Sequence, residues 1–149
     1  MNDRLDTVFL FGFLTFLHLW GGAAIGAGLR ARTALPMVWG LLVGITPMYF
    51  GIERVIRLDS WAGLAWQVAC LVASAAAVAL GPVRIRAWFL QSGMTAVMIG
   101  SLLMAGGALV GAVLFRRGSE MLSLLLGGAG FMLGAMWFGS GLFRLRGKS

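Results

Sequence analysis

From Ala87 to Phe115 the chain runs for 29 residues without a charged side chain. A helix needs about 20 predominantly apolar residues to cross the hydrocarbon core of a bilayer. Four further apolar runs accompany it: Thr7–Leu29, Leu35–Ile56, Ser60–Leu80 and Met121–Phe143. Of the 149 residues 60% are hydrophobic and 11% charged, with a mean hydropathy of +0.92. Soluble domains carry about 25% charged residues, so this chain has too few to cover a water-exposed surface. The expected fold is an all-α integral membrane protein, one transmembrane domain over residues 1–149 built as an up-and-down bundle of about five helices (7–29, 35–56, 60–80, 87–115 and 121–143).

The breaks between runs are short, which places consecutive helices side by side and antiparallel. RARTALP supplies charges and Pro36 near a helix start. RLDS offers Asp59 or Ser60 as an N-cap. GPVRIR stops the third run at Gly81-Pro82, and RRGSE offers Gly118 as a C-cap and Ser119 as the next N-cap. Within the second run, Pro47 lacks an amide donor and is expected to kink the helix. If that segment does not span, four helices cross instead of five. The N-terminal run continues to Leu29, beyond the length of a signal-peptide core, and reads as a retained helix.

Charge sidedness is weak. Five spans put Arg4, Arg54, Arg57, Arg116 and Arg117 on one side, and Arg30, Arg32, Arg84, Arg86, Arg144, Arg146 and Lys148 on the other. The excess of Arg and Lys marks the cytoplasmic side, so the C-terminus is expected in the cytoplasm, in a bacterial cytoplasmic membrane. The near balance also admits insertion in both orientations. The net charge of +7 gathers at the ends of apolar runs, where lipid headgroups account for it and nucleic acid is not expected as a partner.

Four runs carry glycines four residues apart: Gly22/Gly26, Gly40/Gly44, Gly107/Gly111 and Gly130/Gly134. The third run has Ala65, Ala69, Ala73 and Ala77 at the same spacing. Such stripes let membrane helices approach closely. GGAAIGAG resembles GGALVGAV, and LLVGITPMYFG resembles LLLGGAGFMLG, which admits an inverted repeat of two helical hairpins.

His18, the single histidine, shares one helical face with Gly22 and Gly26. That face suits either a neighbouring helix, with the imidazole hydrogen-bonded across it, or a flat macrocycle, with His18 as axial ligand to haem or a chlorophyll-type pigment. The helix is favoured, and no cofactor is expected. Glu53 is the acid inside an apolar run, four residues before Arg57. Paired with Arg57 it reads as an interfacial ion pair; with Thr46, beside the Pro47 kink, it reads as an ion or proton site. Gln67 and Gln91 read as helix–helix hydrogen bonders. Cys70 lies in an apolar run and reads as a packing residue. No nucleophile–base pair, carboxylate pair, His/Cys cluster or phosphate loop is present, so neither enzyme activity nor a metal site is expected.

The stretch GAGLR before a charged loop resembles the first helix of small dual-topology fluoride channels over about one helix. The asparagine of that family's second helix and its phenylalanine-rich broken helix have no counterpart here, so membership does not follow. Two functions fit. One is a non-catalytic accessory or structural subunit of a larger membrane complex, whose partners are the bilayer and other membrane subunits or itself. The alternative is a small homo-oligomeric, dual-topology ion channel or transporter.

Overall fold

The structure, a computed structural model, describes residues 3–57 and 61–147, with the backbone alone for residues 3–7 and 47–57. The described residues are helical with no strand. They fall into two compact units, Met1–Phe89 and Leu90–Ser149.

The first unit is organised around α1 (Asp3–Ala31), against which α2 (Ala34–Arg57) and α3 (Trp61–Leu80) both pack. Glycines set the fit. A methyl on Gly21 would come within 2.7 Å of the Gly40 carbonyl oxygen, and one on Gly28 within 2.9 Å of the Met37 nitrogen, so α1 and α2 are antiparallel. Against α3 the register ascends on both helices: Thr15 meets Trp66, Gly22 meets Leu71 and Ser74, and Gly26 meets Ala75. Helices α1 and α3 are therefore parallel, and their C-terminal ends lie at the same level.

The turn closing α1 explains its short link to α2. The Thr33 amide donates to the Gly28 carbonyl (3.0 Å) and the Arg32 amide to the Leu29 carbonyl (3.4 Å), the Schellman pattern. Arg32 holds the left-handed position with φ 55°, where glycine is preferred because a side chain crowds the following carbonyl. In the second unit the same pattern closes α5 with Gly118 at φ 76°.

After α3 a short helix, α4 (Val83–Leu90), begins directly behind Pro82. Proline tolerates the first turn of a helix because that turn has no use for its missing amide. Arg86 turns back to donate to the Ala79 carbonyl at 2.9 Å, satisfying one of the orphaned acceptors at the end of α3. Helix α4 closes on α1 through rings: Trp88 and Phe89 lie 5.2 and 5.5 Å from Trp20, and Trp88 and Phe89 meet edge-on at 5.1 Å.

The second unit is a hairpin of α5 (Ser92–Arg116) and α6 (Glu120–Arg146). One π-helical turn, Ser123–Gly127, interrupts α6 near its start. There the Ser123 hydroxyl donates to the Gly111 carbonyl of α5 at 2.7 Å.

Four described helical stretches are long and apolar enough to cross a membrane: Val8–Ala31, Trp61–Leu80, Ser92–Arg116 and Glu120–Arg146. The segment expected over 35–56 is helix α2, which continues through Pro47 to Arg57, but its described apolar stretch, Ala34–Thr46, is shorter than a span. The helix expected over 87–115 is divided. Gln91 adopts an extended conformation (φ −72°, ψ 152°), and its carbonyl accepts from both the amide (3.0 Å) and the hydroxyl (3.2 Å) of Thr95. The two bonds to one acceptor fix a new helix start inside an uncharged run, and most of GPVRIR belongs to α4 instead of a loop. The Asp59 and Ser60 caps, and the side chains of Pro47, Glu53 and Arg57, lie outside the described residues.

Candidate functional site

The α1 face that meets α3 carries the strongest polar anomaly. His18 is 0% exposed and Gln67 1%. The register brackets them at one level: the Trp66 indole donates to the Thr15 hydroxyl (3.4 Å) one turn to one side, and Gly22 meets Leu71 and Ser74 one turn to the other. Cys70, also buried with a free thiol, shares that turn of α3.

His18 Nδ1 lies 2.5 Å from the Leu14 carbonyl oxygen of its own helix. A carbonyl only accepts, so Nδ1 carries the proton, and in the neutral ring Nε2 is left as a lone-pair acceptor. That Nε2 has no partner, and neither has the amide nitrogen or oxygen of Gln67. Buried polar atoms are paired in more than about nine cases in ten, and these two side chains hold three that are not. Their chemistries complement one another: Nε2 accepts, the Gln67 NH2 donates, and the Gln67 carbonyl accepts again. Among the described residues no group of three His, Cys, Asp or Glu side chains gathers around a metal position.

The glycines fall into two kinds. Gly22 and Gly26 have no room for a methyl because the backbone of α3 occupies it, at Leu71 and Ala75. The surface beside His18 is therefore covered by a helix. Gly40 and Gly44 of α2 meet Gly21 of α1, one residue away from the stripe that contains His18.

In the second unit the tight positions are seven residues apart: Gly93, Gly100 and Gly107 on α5 against Gly141, Gly134 and Gly127 on α6. A methyl on Gly134 would reach within 2.6 Å of the Gly100 oxygen, and one on Gly141 within 2.6 Å of the Gly93 oxygen. Gly130 is intermediate, at 3.1 Å from the Gly107 Cα, and Gly111 has ordinary space, with 3.5 Å to the Gly127 Cα. The heptad series is present in the sequence as a spacing of seven along both runs.

Thr46 is exposed on α2, while Glu53 lies outside the described side chains. Ala65, Ala69, Ala73 and Ala77 all lie on the exposed side of α3; its covered side is Gln67, Cys70 and Val78. Trp39, near the start of α2, is buried.

Comparison with known proteins finds no matching family, curated protein or solved structure.

Proposed function

We propose that the chain is a non-catalytic multi-pass membrane protein that serves as a small accessory subunit of a larger membrane assembly. One observation carries this reading. Gly12, Gly106, Gly128 and Gly139 lie in the long apolar helices, yet a methyl on any of them would meet nothing within 4 Å. Each glycine in a helix interior costs about 0.5–1 kcal/mol relative to alanine, and no contact among the described residues offsets that cost. A helix of another subunit, approaching as closely as α5 and α6 approach each other, does.

Further support comes from the outward faces. At most 28% of any spanning window is covered by the chain itself, and Phe9, Leu109 and Met132 are more than two-thirds exposed. The alanines of α3 add a smooth outward stripe. A macrocycle on His18 would have to displace α3, so the reading includes no cofactor. The membrane is taken to be a bacterial cytoplasmic membrane, with the C-terminus inside.

Purification in a mild detergent tests the proposal. Other membrane proteins are expected to co-purify in fixed ratio, and Gly106→Leu with Gly139→Leu should release them while the chain still folds. A lone oligomer that conducts or exchanges an ion in liposomes would overturn it in favour of the channel. The unpartnered atoms of His18 and Gln67 are what favours that second reading, and flux lost in Gln67→Leu would establish it.

A further inference from the structure

Beside the aromatic contact of α1 and α4 lies an open groove of about 590 Å³, lined by Phe16, Leu19, Trp20 and Ala23 of α1 and by Arg84, Ile85, Trp88 and Phe89 of α4. All eight residues belong to the first unit. The volume falls within the roughly 300–1,000 Å³ of small-molecule sites. We propose that this groove binds one anionic phospholipid, its phosphate on Arg84 and an acyl chain along α1.

The lining sets the chemistry of the occupant. Seven of the eight side chains are apolar and the eighth is a cation, so the occupant joins a long apolar part to an anionic end. The two arginines of α4 are not equivalent. Arg86 is committed to the Ala79 carbonyl, whereas Arg84 is exposed and has no hydrogen-bond or ion-pair partner among the described residues. A guanidinium pairs with phosphate through two parallel N–H bonds, a geometry no apolar wall supplies.

The level of the groove fits a lipid. Because α1 and α3 are parallel, Arg30 and Arg32 at the end of α1 share a level with Arg84 and Arg86 just beyond α3. No described acidic side chain of the unit opposes them. A cluster of this size beside a membrane-crossing helix attracts anionic headgroups. From that end the groove follows α1 inward from Ala23 to Phe16, about 10 Å at 1.5 Å per residue. An acyl chain occupies such a path along its length. Trp20, Trp88 and Phe89 hold one another at 5.1–5.5 Å between ring centroids and form its aromatic wall. A free anion leaves this wall bare. A partner helix covers the wall but leaves Arg84 without a countercharge.

The proposal rests on the membrane reading and is independent of the accessory role. The full chain, stripped of lipid in detergent, is titrated separately with phosphatidylglycerol, phosphatidylcholine and inorganic phosphate, reading bound lipid by native mass spectrometry and melting temperature. One phosphatidylglycerol per chain is expected, held about tenfold more tightly than phosphatidylcholine, whose choline ammonium offsets the charge of the phosphate that Arg84 pairs with. Arg84→Gln should abolish the preference, Arg84→Lys should keep most of it, and Arg144→Gln should leave it unchanged. Ala23→Phe, which fills the chain path, should weaken both lipids. An undiminished preference in a folded Arg84→Gln, or an equal melting shift from inorganic phosphate alone, overturns the proposal. So does a photocrosslink from position 88 that captures a protein in place of lipid; if Arg84→Gln does not fold, the Ala23→Phe titration decides.

Discussion

His18 and Gln67 occupy a position that membrane interiors rarely leave incomplete. Each buried unpaired polar group costs about 1–3 kcal/mol, and the Gln67 amide contributes two such atoms. If nothing else enters, Gln67→Leu should stabilise the protein by about that amount, measured as a rise in the midpoint of thermal or denaturant unfolding in detergent. A fall instead means that the amide has a partner in the working protein, whether water, ion or another subunit. The shared face of His18, Gly22 and Gly26 was legible from spacing alone, since residues four apart lie on one side of a helix. The burial of Gln67 was not. Which side of α3 faces α1 is decided by Gly22 and Gly26 pressing on Leu71 and Ala75, a tertiary contact. The alanine stripe, attractive in the sequence, turned outward as a result.

At the scale of elements, charges bracketing apolar runs located the long helices to within a few residues, because a charged side chain at a helix end avoids the cost of burial in lipid. The break at Gln91 carried no such marker: neither proline nor charge stands there. The glycine contacts were half legible. Spacing of four singled out Gly107, Gly111, Gly130 and Gly134, but the hairpin closes on a seven-residue series that leaves out Gly111, where a methyl would make only ordinary contact. Gly134→Ala should therefore destabilise the α5–α6 hairpin by about 1–3 kcal/mol through overpacking. Gly111→Ala should be neutral or slightly stabilising, since it gains helix propensity. Unfolding midpoints of the two variants, compared side by side, check the distinction; equal losses would mean the four-residue motif governs after all.

For the whole molecule, sidedness depends on how many helices cross. The end of the first unit bearing Arg30, Arg32, Arg84 and Arg86 is expected to face the cytoplasm, following the usual bias of Arg and Lys in short loops. Reporters fused after Arg32, Arg86 and Ser149 should read the cytoplasm, and one after Gly118 the opposite side. A reporter after Leu58 tests α2: with α1 and α3 parallel it should read the side opposite to Arg32, and a signal on the same side would contradict that packing. Signals on both sides from a single fusion would show insertion in two orientations. Sequence alone left the count between four and five because Pro47 and the charges that follow it break the apolar run of α2, though not the helix itself.

The π turn of α6 acts as a phase shifter. Its extra residue advances the helix by about 100°, the angle between successive residues at 3.6 per turn. Everything before Ser123 is thereby rotated relative to the heptad glycines after it. Upstream of Gly127 the chain thus tolerates a length change that the hairpin core does not. Removing one of Leu124, Leu125 or Leu126 should relax the turn to ordinary helix, sacrificing the Ser123–Gly111 bond, worth about 0.6 kcal/mol for a typical interhelical bond in a membrane. The same deletion between Gly127 and Gly141 would throw half the glycine series out of step, and membrane yield should separate the two.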